Sequence, residues 1–357
     1  RDLIDREGKP LGADFITFYA ASELALQARL AEAYDPQRIL AAERAAVPAN
    51  TEIFPWLYPP SFALAVLPLA LMPYTLALIV FLGVTFALYL WLIHRILPDR
   101  RAVVAALAFS GAFVNAMSGQ NGFLTTALLG SGLLLLESRP ALAGALIGLL
   151  TVKPHLGLLL PFALALGGQW RAILAAAAAA LLLAGAALLA FGAEPWRLFL
   201  AHLAAGGGYM ESGALPWNKM VSVFAAARLL GAGVGLAYAL HGIVAAVVAA
   251  LTLRLWWRGA EPRLLAALTA AATPLLPPYF YDYDLVLTAV PIAILAADGL
   301  DRGWLPGLKT VLAIAWIAPL LAAVLARFAG VPLMPLALLA LFAMALNRAS
   351  TTPPRRS

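Results

Sequence analysis

From residue 61 onward, long apolar runs alternate with short polar breaks. This pattern predicts membrane-spanning helices at roughly 74–95, 102–118, 122–136, 140–152, 155–168, 171–192, 234–257, 263–278, 284–299, 307–326 and 332–346. Several of these runs fall short of the ~20 residues that a bilayer requires. Short spans that meet at SGQNG, TVKPH and PPYFYDYD predict a cavity cut into one face of the bundle. Irregular backbone at membrane depth is tolerated only against protein or water. Runs such as AILAAAAAALLLAGAALLA predict close helix packing through small residues.

Residues 1–60 break the pattern, because charges recur there every few positions. Within them, FITFYAASELALQARLAEAYD predicts an amphipathic helix lying on the membrane surface. Phe15, Phe18, Ser22, Leu26 and Leu30 recur at spacings of three and four, while Glu23, Gln27 and Glu32 fall elsewhere. FPWLYPPSF, residues 54–62, follows with interfacial aromatics and helix-stopping prolines, and residues 61–71 are too short to span. The expected organisation is a first outer loop (1–60) with an interfacial helix, a transmembrane domain (61–346) of about eleven spans with a second loop at 193–221, and a cytoplasmic tail (347–357). Gly-Gly-Gly in the second loop predicts a flexible tip. The chain opens on RDLIDREGKP, and a first membrane helix is expected to precede it. The predicted fold class is all-α: a polytopic helical bundle with short, broken helices around a cavity.

Composition supports the membrane reading. Of the 357 residues, 63% are hydrophobic and 12% charged, against about 45–50% and about 25% in soluble domains. The net charge of +6 is read as arginine-rich cytoplasmic loops rather than nucleic-acid binding. Arg95, Arg100, Arg101, Arg139, Arg171, Arg254, Arg258, Arg263, Arg302, Arg348, Arg355 and Arg356 fall on one side by alternation, which makes that side cytoplasmic. The polar motifs then gather on the extracytoplasmic side, at an inner (plasma) membrane. The absence of cysteine excludes disulfides and thiolate chemistry, and four scattered histidines without a metal motif argue against a zinc site.

The candidate chemistry lies in those polar motifs. Asp14, in GADFITFYAA, reads either as the N-cap of the following helix or as a general base facing the cavity. Lys153, in apolar surroundings, reads as a phosphate contact or as a snorkelling lysine. His155 offers a further donor to the same phosphate, or is a core histidine. PPYFYDYDL carries Tyr279, Tyr281, Asp282, Tyr283 and Asp284, as sugar-binding groups or as an interface belt. Asp282 and Asp284 alternate along an extended segment, so at most one faces the site. Gln120 and Asn121 read as neutral binding groups or as a tight turn, and Trp217, Asn218 and Lys219 as a loop that closes over substrate.

Two functions fit a polytopic protein with such a cavity. A transporter or flippase for polyprenyl-linked or other lipids would place ionisable residues near the midplane. Polar motifs gathered on one face, with a candidate base in the first loop, favour an enzyme acting on a lipid.

GADFITFYAA, FPWLYPP, GQN, KPH and YDYDL, in that order, resemble the glycosyltransferase family 87 membrane proteins of the GT-C superfamily. The resemblance covers nearly the whole chain, although no membrane span precedes Asp14 here. It implies an inverting transfer of a mannose-like or arabinose-like sugar from a polyprenyl-phosphate donor to a lipid or glycan acceptor, on the extracytoplasmic side and without a nucleotide. Asp14 matches the family's catalytic carboxylate, and Lys153 with His155 would hold the donor phosphate. Tyr58, Gln120, Asn121, Tyr281, Asp282 and Lys219 would hold sugar or acceptor. The paired acids of many GT-C enzymes are absent beside Asp14, so metal-independent transfer without a cofactor is expected.

Overall fold

A computed structural model describes residues 3–6, 8–213 and 215–351. It is 77% helical, and among the described residues its only bridge pairings are the isolated ones of Ile4 with Pro10 and Met220 with Tyr281. Among the described residues, six segments are long and apolar enough to cross a membrane: Tyr74–Ile96, Trp170–Phe191, Val234–Trp257, Asp282–Arg302, Leu308–Ala329 and Met334–Thr351. The chain is a multi-pass, all-α membrane protein.

The remaining apolar runs are shorter than continuous spans. Residues 102–118 divide at Ala108 and Phe109 into Arg100–Leu107 and Ser110–Met117. Gly122–Leu135, Pro140–Val152 and Pro154–Leu166 are short apolar helices. Residues 263–278 become helix Pro262–Ala272 and a 3₁₀ turn, Thr273–Leu275. Proline near the start of several pieces (Pro140, Pro154, Pro161, Pro274) removes the N–H that would join each to the turn before it.

Small residues set the closest helix contact. A Cβ on Gly144 would lie 2.1 Å from the Ala172 carbonyl oxygen, and one on Gly148 would lie 2.4 Å from that of Ala176. Glycines four apart on Pro140–Leu149 thus admit the backbone of Trp170–Phe191. The other face of that helix exposes Leu174, Leu181, Leu182 and Leu189, which suits lipid.

Two expectations are corrected. The surface helix expected over residues 15–33 is the shorter Phe15–Leu26, and it is buried rather than amphipathic. Phe15, Ile16, Phe18, Ala20 and Ala21 are fully enclosed, and even the polar Thr17 and Ser22 are buried. Phe18 stands edge-on to Trp56, Tyr58, Phe62 and Phe81, so the first polar region has an aromatic core of its own. The helix stops where Ala28 turns to φ +58°, and a 3₁₀ turn Leu30–Tyr34 follows. The second correction is the 193–221 loop. Most of it is helix Glu194–Ser212, which contains the glycine run expected to be a flexible tip. Pro195 in the first turn and the Glu194–Arg197 pair favour its start, and Gly213 in the left-handed region ends it.

The arginine-bearing helix ends converge. Arg302 contacts Glu261 at 3.1 Å and Asp298 at 3.5 Å, Arg348 bonds Asp298, and Arg263 donates to the Ile96 carbonyl. Glu261, Arg263, Asp298 and Arg302, with Glu137 and Asp301, surround a cavity of about 320 Å³. Residues 347–351 of the expected tail continue helix Met334–Thr351, and Arg355 and Arg356 lie outside the described residues.

Candidate functional site

Five backbone interruptions supply the candidate site. Asp14 precedes helix Phe15–Leu26, and Tyr58 precedes Pro60–Val66. Gln120 lies between Ser110–Met117 and Gly122–Leu135. Lys153 separates two 3₁₀ turns, Leu150–Val152 and Pro154–Gly157. Asp284 lies in the 3₁₀ segment Asp282–Thr288. Each interruption frees a polar group from regular packing at a point where helices meet.

The first and third interruptions are fastened together through backbone. Asp14 N–H donates to the Ser118 carbonyl at 3.1 Å. Gly119 takes φ +61°, and a Cβ there would lie 2.1 Å from the Gly12 carbonyl oxygen. Only glycine permits that approach. The side chains continue the connection: Gln120 Nε2 donates to Asp14 Oδ2 at 2.8 Å, and Tyr58 OH donates to Gln120 Oε1 at 2.9 Å.

The cation stands beside this chain of bonds. Lys153 Nζ lies 5.9 Å from the Tyr58 ring centroid and 5.0 Å from that of Tyr283. It also donates to both carboxylate oxygens of Asp284, at 2.6 and 2.9 Å. Lys153 is 5% exposed and Asp284 3%, so each charge is enclosed with its partner. Tyr283 stacks on Tyr281 with ring centroids 5.2 Å apart.

Asp14 is no helix cap. Its backbone is already helical, and its carboxylate makes no capping bond. Burial pushes its carboxyl above the ordinary range, with a smaller push from Asp284, while the Gln120 amide and the charges of Lys219 and Lys153 favour ionisation. A carboxylate under this balance can exchange a proton with a neighbouring hydroxyl. Burial also pushes the Tyr58 phenol well above its usual range, so it stays protonated and donates.

The structure therefore brings Asp14, Tyr58, Gln120 and Lys153 together. Asn121 is adjacent and fully buried, and neither its amide oxygen nor its nitrogen has a hydrogen-bond partner. The Asp282 carboxylate accepts from the Tyr283 N–H, while Asp284 meets the lysine. The segment is 3₁₀ rather than extended, and residues two apart on it face different ways. His155 packs its ring against Tyr279 and Phe280 rather than joining the hydrogen-bond chain. Lys219 is exposed, and its charge reaches both Asp14 and Asp282. Its strand-like neighbour Met220 pairs with Tyr281, and Val221 N–H donates to the Phe280 carbonyl. Trp217 turns back into its own loop, donating to the Met210 carbonyl beneath the Arg228 guanidinium.

Tyr283 and Asp284 stood among the sequence candidates of PPYFYDYDL, but Tyr281 and Asp282 were the pair assigned to sugar or acceptor. The doubled Tyr-Asp of YDYDL was the available signal, and choosing between its two carboxylates required the turn geometry. Among the described residues, no three His, Asp or Glu side chains converge as a metal site.

The family model for glycosyltransferase family 87 matches residues 56–278, well over half the chain. Tyr58, Gln120, Asn121, Lys153, His155 and Lys219 fall inside that match; Asp14 and Asp284 fall outside it. No curated protein and no solved structure matches the chain.

Proposed function

As the chain belongs to glycosyltransferase family 87 and is a membrane glycosyltransferase, we propose that it transfers a mannose-like or arabinose-like sugar from a polyprenyl-phosphate donor to a hydroxyl of a lipid or glycan, with inversion, using Asp14 as general base. Membership in a transferase family removes the transporter alternative. The observation that supports the reading most is the continuous link from the Asp14 carboxylate through Gln120 and Tyr58 to the enclosed Lys153 ammonium. It joins a proton acceptor and an anion-binding group in one site among broken helices.

In the proposed reaction, Asp14 takes the proton of the acceptor hydroxyl. The acceptor oxygen forms a bond to the anomeric carbon on the face opposite the lipid phosphate. The bond from that carbon to the phosphate oxygen breaks, and polyprenyl phosphate leaves with the electron pair. An ammonium has three N–H donors, and Asp284 accepts from two directions. The remaining donor of Lys153 is assigned to the departing phosphate, where it stabilises developing charge. Lys219 supplies a second, exposed cation for the same anion. Asn121, with its unpartnered amide, is assigned to a sugar hydroxyl. No metal and no cofactor are required by these steps. Arginine-rich ends at the other extreme of the bundle support an extracytoplasmic site in a plasma membrane.

The test is transfer in detergent, where no sides exist to transport between. Purified protein with polyprenyl-phosphate mannose, and separately its arabinose counterpart, should form a glycosylated lipid acceptor. Asp14→Asn should abolish formation, and wild-type turnover in that variant would remove Asp14 as base.

A further inference from the structure

Gln120 was expected to contact sugar or acceptor, and within the protein its amide bonds Asp14 and Tyr58. The side chain is 4% exposed. Its Oε1 accepts from the Asn121 backbone N–H at 3.2 Å as well as from Tyr58 OH. A backbone N–H can only donate, so it fixes which end of the amide is oxygen. The nitrogen must then face Asp14, where it donates to Oδ2. Among the described residues, Asp14 Oδ1 has no hydrogen-bond partner beside it.

We propose that Tyr58 and Gln120 form a positioning relay, which holds the Asp14 carboxylate by Oδ2 and presents Oδ1 to the acceptor hydroxyl. Tyr58 sets the amide, the amide sets the carboxylate, and neither touches the reacting atoms. The backbone contact of Gly119 with Gly12 keeps the two loops in register while this happens. The inference rests on Asp14 being the base, and it adds which of its oxygens reacts and what keeps that oxygen ionised.

Removing the relay donor should favour protonated Asp14, because a hydrogen bond to the charged form is lost while burial remains. The other groups felt at Asp14 are Lys219, Lys153 and Asp284, and Asp14 in turn bears on Asp282, Glu43, Tyr281 and Tyr283 as well as on Tyr58 itself. A change at Gln120 removes none of these, and Tyr58→Phe removes only a phenol that stays neutral.

The experiment compares wild type, Gln120→Met and Tyr58→Phe in detergent, with polyprenyl-phosphate mannose or arabinose, whichever wild type uses. Methionine keeps the length of glutamine without its donor, and phenylalanine keeps the ring within its aromatic cluster. The acid limb of the kcat–pH profile should move to higher pH in both variants, more in Gln120→Met. At neutral pH, kcat should fall roughly 10- to 100-fold with acceptor KM near wild type. Isotope-edited infrared titration of the aspartates, which needs no substrate, should show the Asp14 carboxyl holding its proton to higher pH. If Gln120→Met fails to fold, Tyr58→Phe carries the test. An unmoved acid limb and an unmoved infrared titration, with raised acceptor KM, would overturn the relay and return Gln120 to the substrate. Full turnover in Asp14→Asn would instead overturn the base itself, so the two failures are separable.

Discussion

Among the described residues, buried ion pairs form in two places, and they are built on different plans. At the arginine-bearing ends, Arg302 and Arg348 share Asp298, and Arg302 also reaches Glu261. There the Arg302–Glu261 and Arg348–Asp298 pairs link different helix ends, and guanidinium groups suit carboxylate partners. Around Lys153 a single lysine meets a single aspartate between two aromatic rings, beside an aspartate bound only to a neutral amide and an asparagine with no partner. The first arrangement is satisfied as it stands and ties helices together. The second retains hydrogen-bonding capacity, on backbone freed from regular helix, which is what a site needs for a polar ligand. Buried charge alone therefore does not separate function from fold; around Lys153 it is the unspent bonding capacity beside the ion pair that marks the candidate site.

Asp14→Asn tests the comparison with the largest expected effect. Loss of a general base costs about 10²- to 10⁴-fold in kcat. Because Asp14 caps nothing, and asparagine can still accept from Gln120, the melting temperature should stay within error of wild type. A large loss of stability with little loss of rate would make Asp14 a structural residue.

Lys153 should matter in both ways. Lys153→Met leaves Asp284 enclosed without a counter-ion, at a cost of about 3–5 kcal/mol. Adding Asp284→Leu should recover most of that stability, since a buried pair replaced by apolar groups is often neutral. Transfer should remain roughly 100-fold or more below wild type in both, because the phosphate has lost its cation. Recovery of rate along with stability would reduce Lys153 to half of a staple. The opposite end should behave in the reverse sense. Arg348→Leu should destabilise by about 3 kcal/mol, the low end for a broken buried pair, since Arg302 still reaches Asp298. Its kcat should match wild type.

Asp14 and Lys153 were legible in the sequence for one reason: a charge inside apolar sequence has few cheap explanations. The partners were not legible. Gln120 and Asp14 are 106 positions apart, Lys153 and Asp284 131 apart, and no local pattern encodes either contact. Hydropathy located helices such as Val234–Trp257 to the residue but did not reveal where apolar runs are divided, because proline breaks divide them without making them polar. Periodicity failed most at Phe15–Leu26. A helix buried on every side carries no reliable polar face, and the spacing of its few polar residues suggested one. Lipid removes the same signal elsewhere, since the outward face of Trp170–Phe191 is as apolar as the packed one.

The smallest expected effect links the first region to pH. Glu43 is fully enclosed, and its carboxyl accepts from Phe54 N–H at 3.2 Å and from Asn50 Nδ2 at 3.3 Å. Those bonds shape the loop that leads to Trp56 and Tyr58. Burial pushes Glu43 up from 4.5 to about 8, against these bonds, and the Asp14 charge adds to the rise. A carboxyl raised in the folded state keeps its proton where the unfolded chain has lost it. Its contribution to stability is therefore complete below pH 4.5, declines as pH rises toward about 8, and is constant above. Thermal unfolding in detergent should show wild type melting lower at pH 8 than at pH 5, and Glu43→Gln should narrow that gap. Asp14→Asn should narrow it slightly as well, because the charge that holds Glu43 neutral is gone. A gap unchanged in Glu43→Gln would place the titration at another group, and would detach the first region's stability from the carboxylate that lies behind its site.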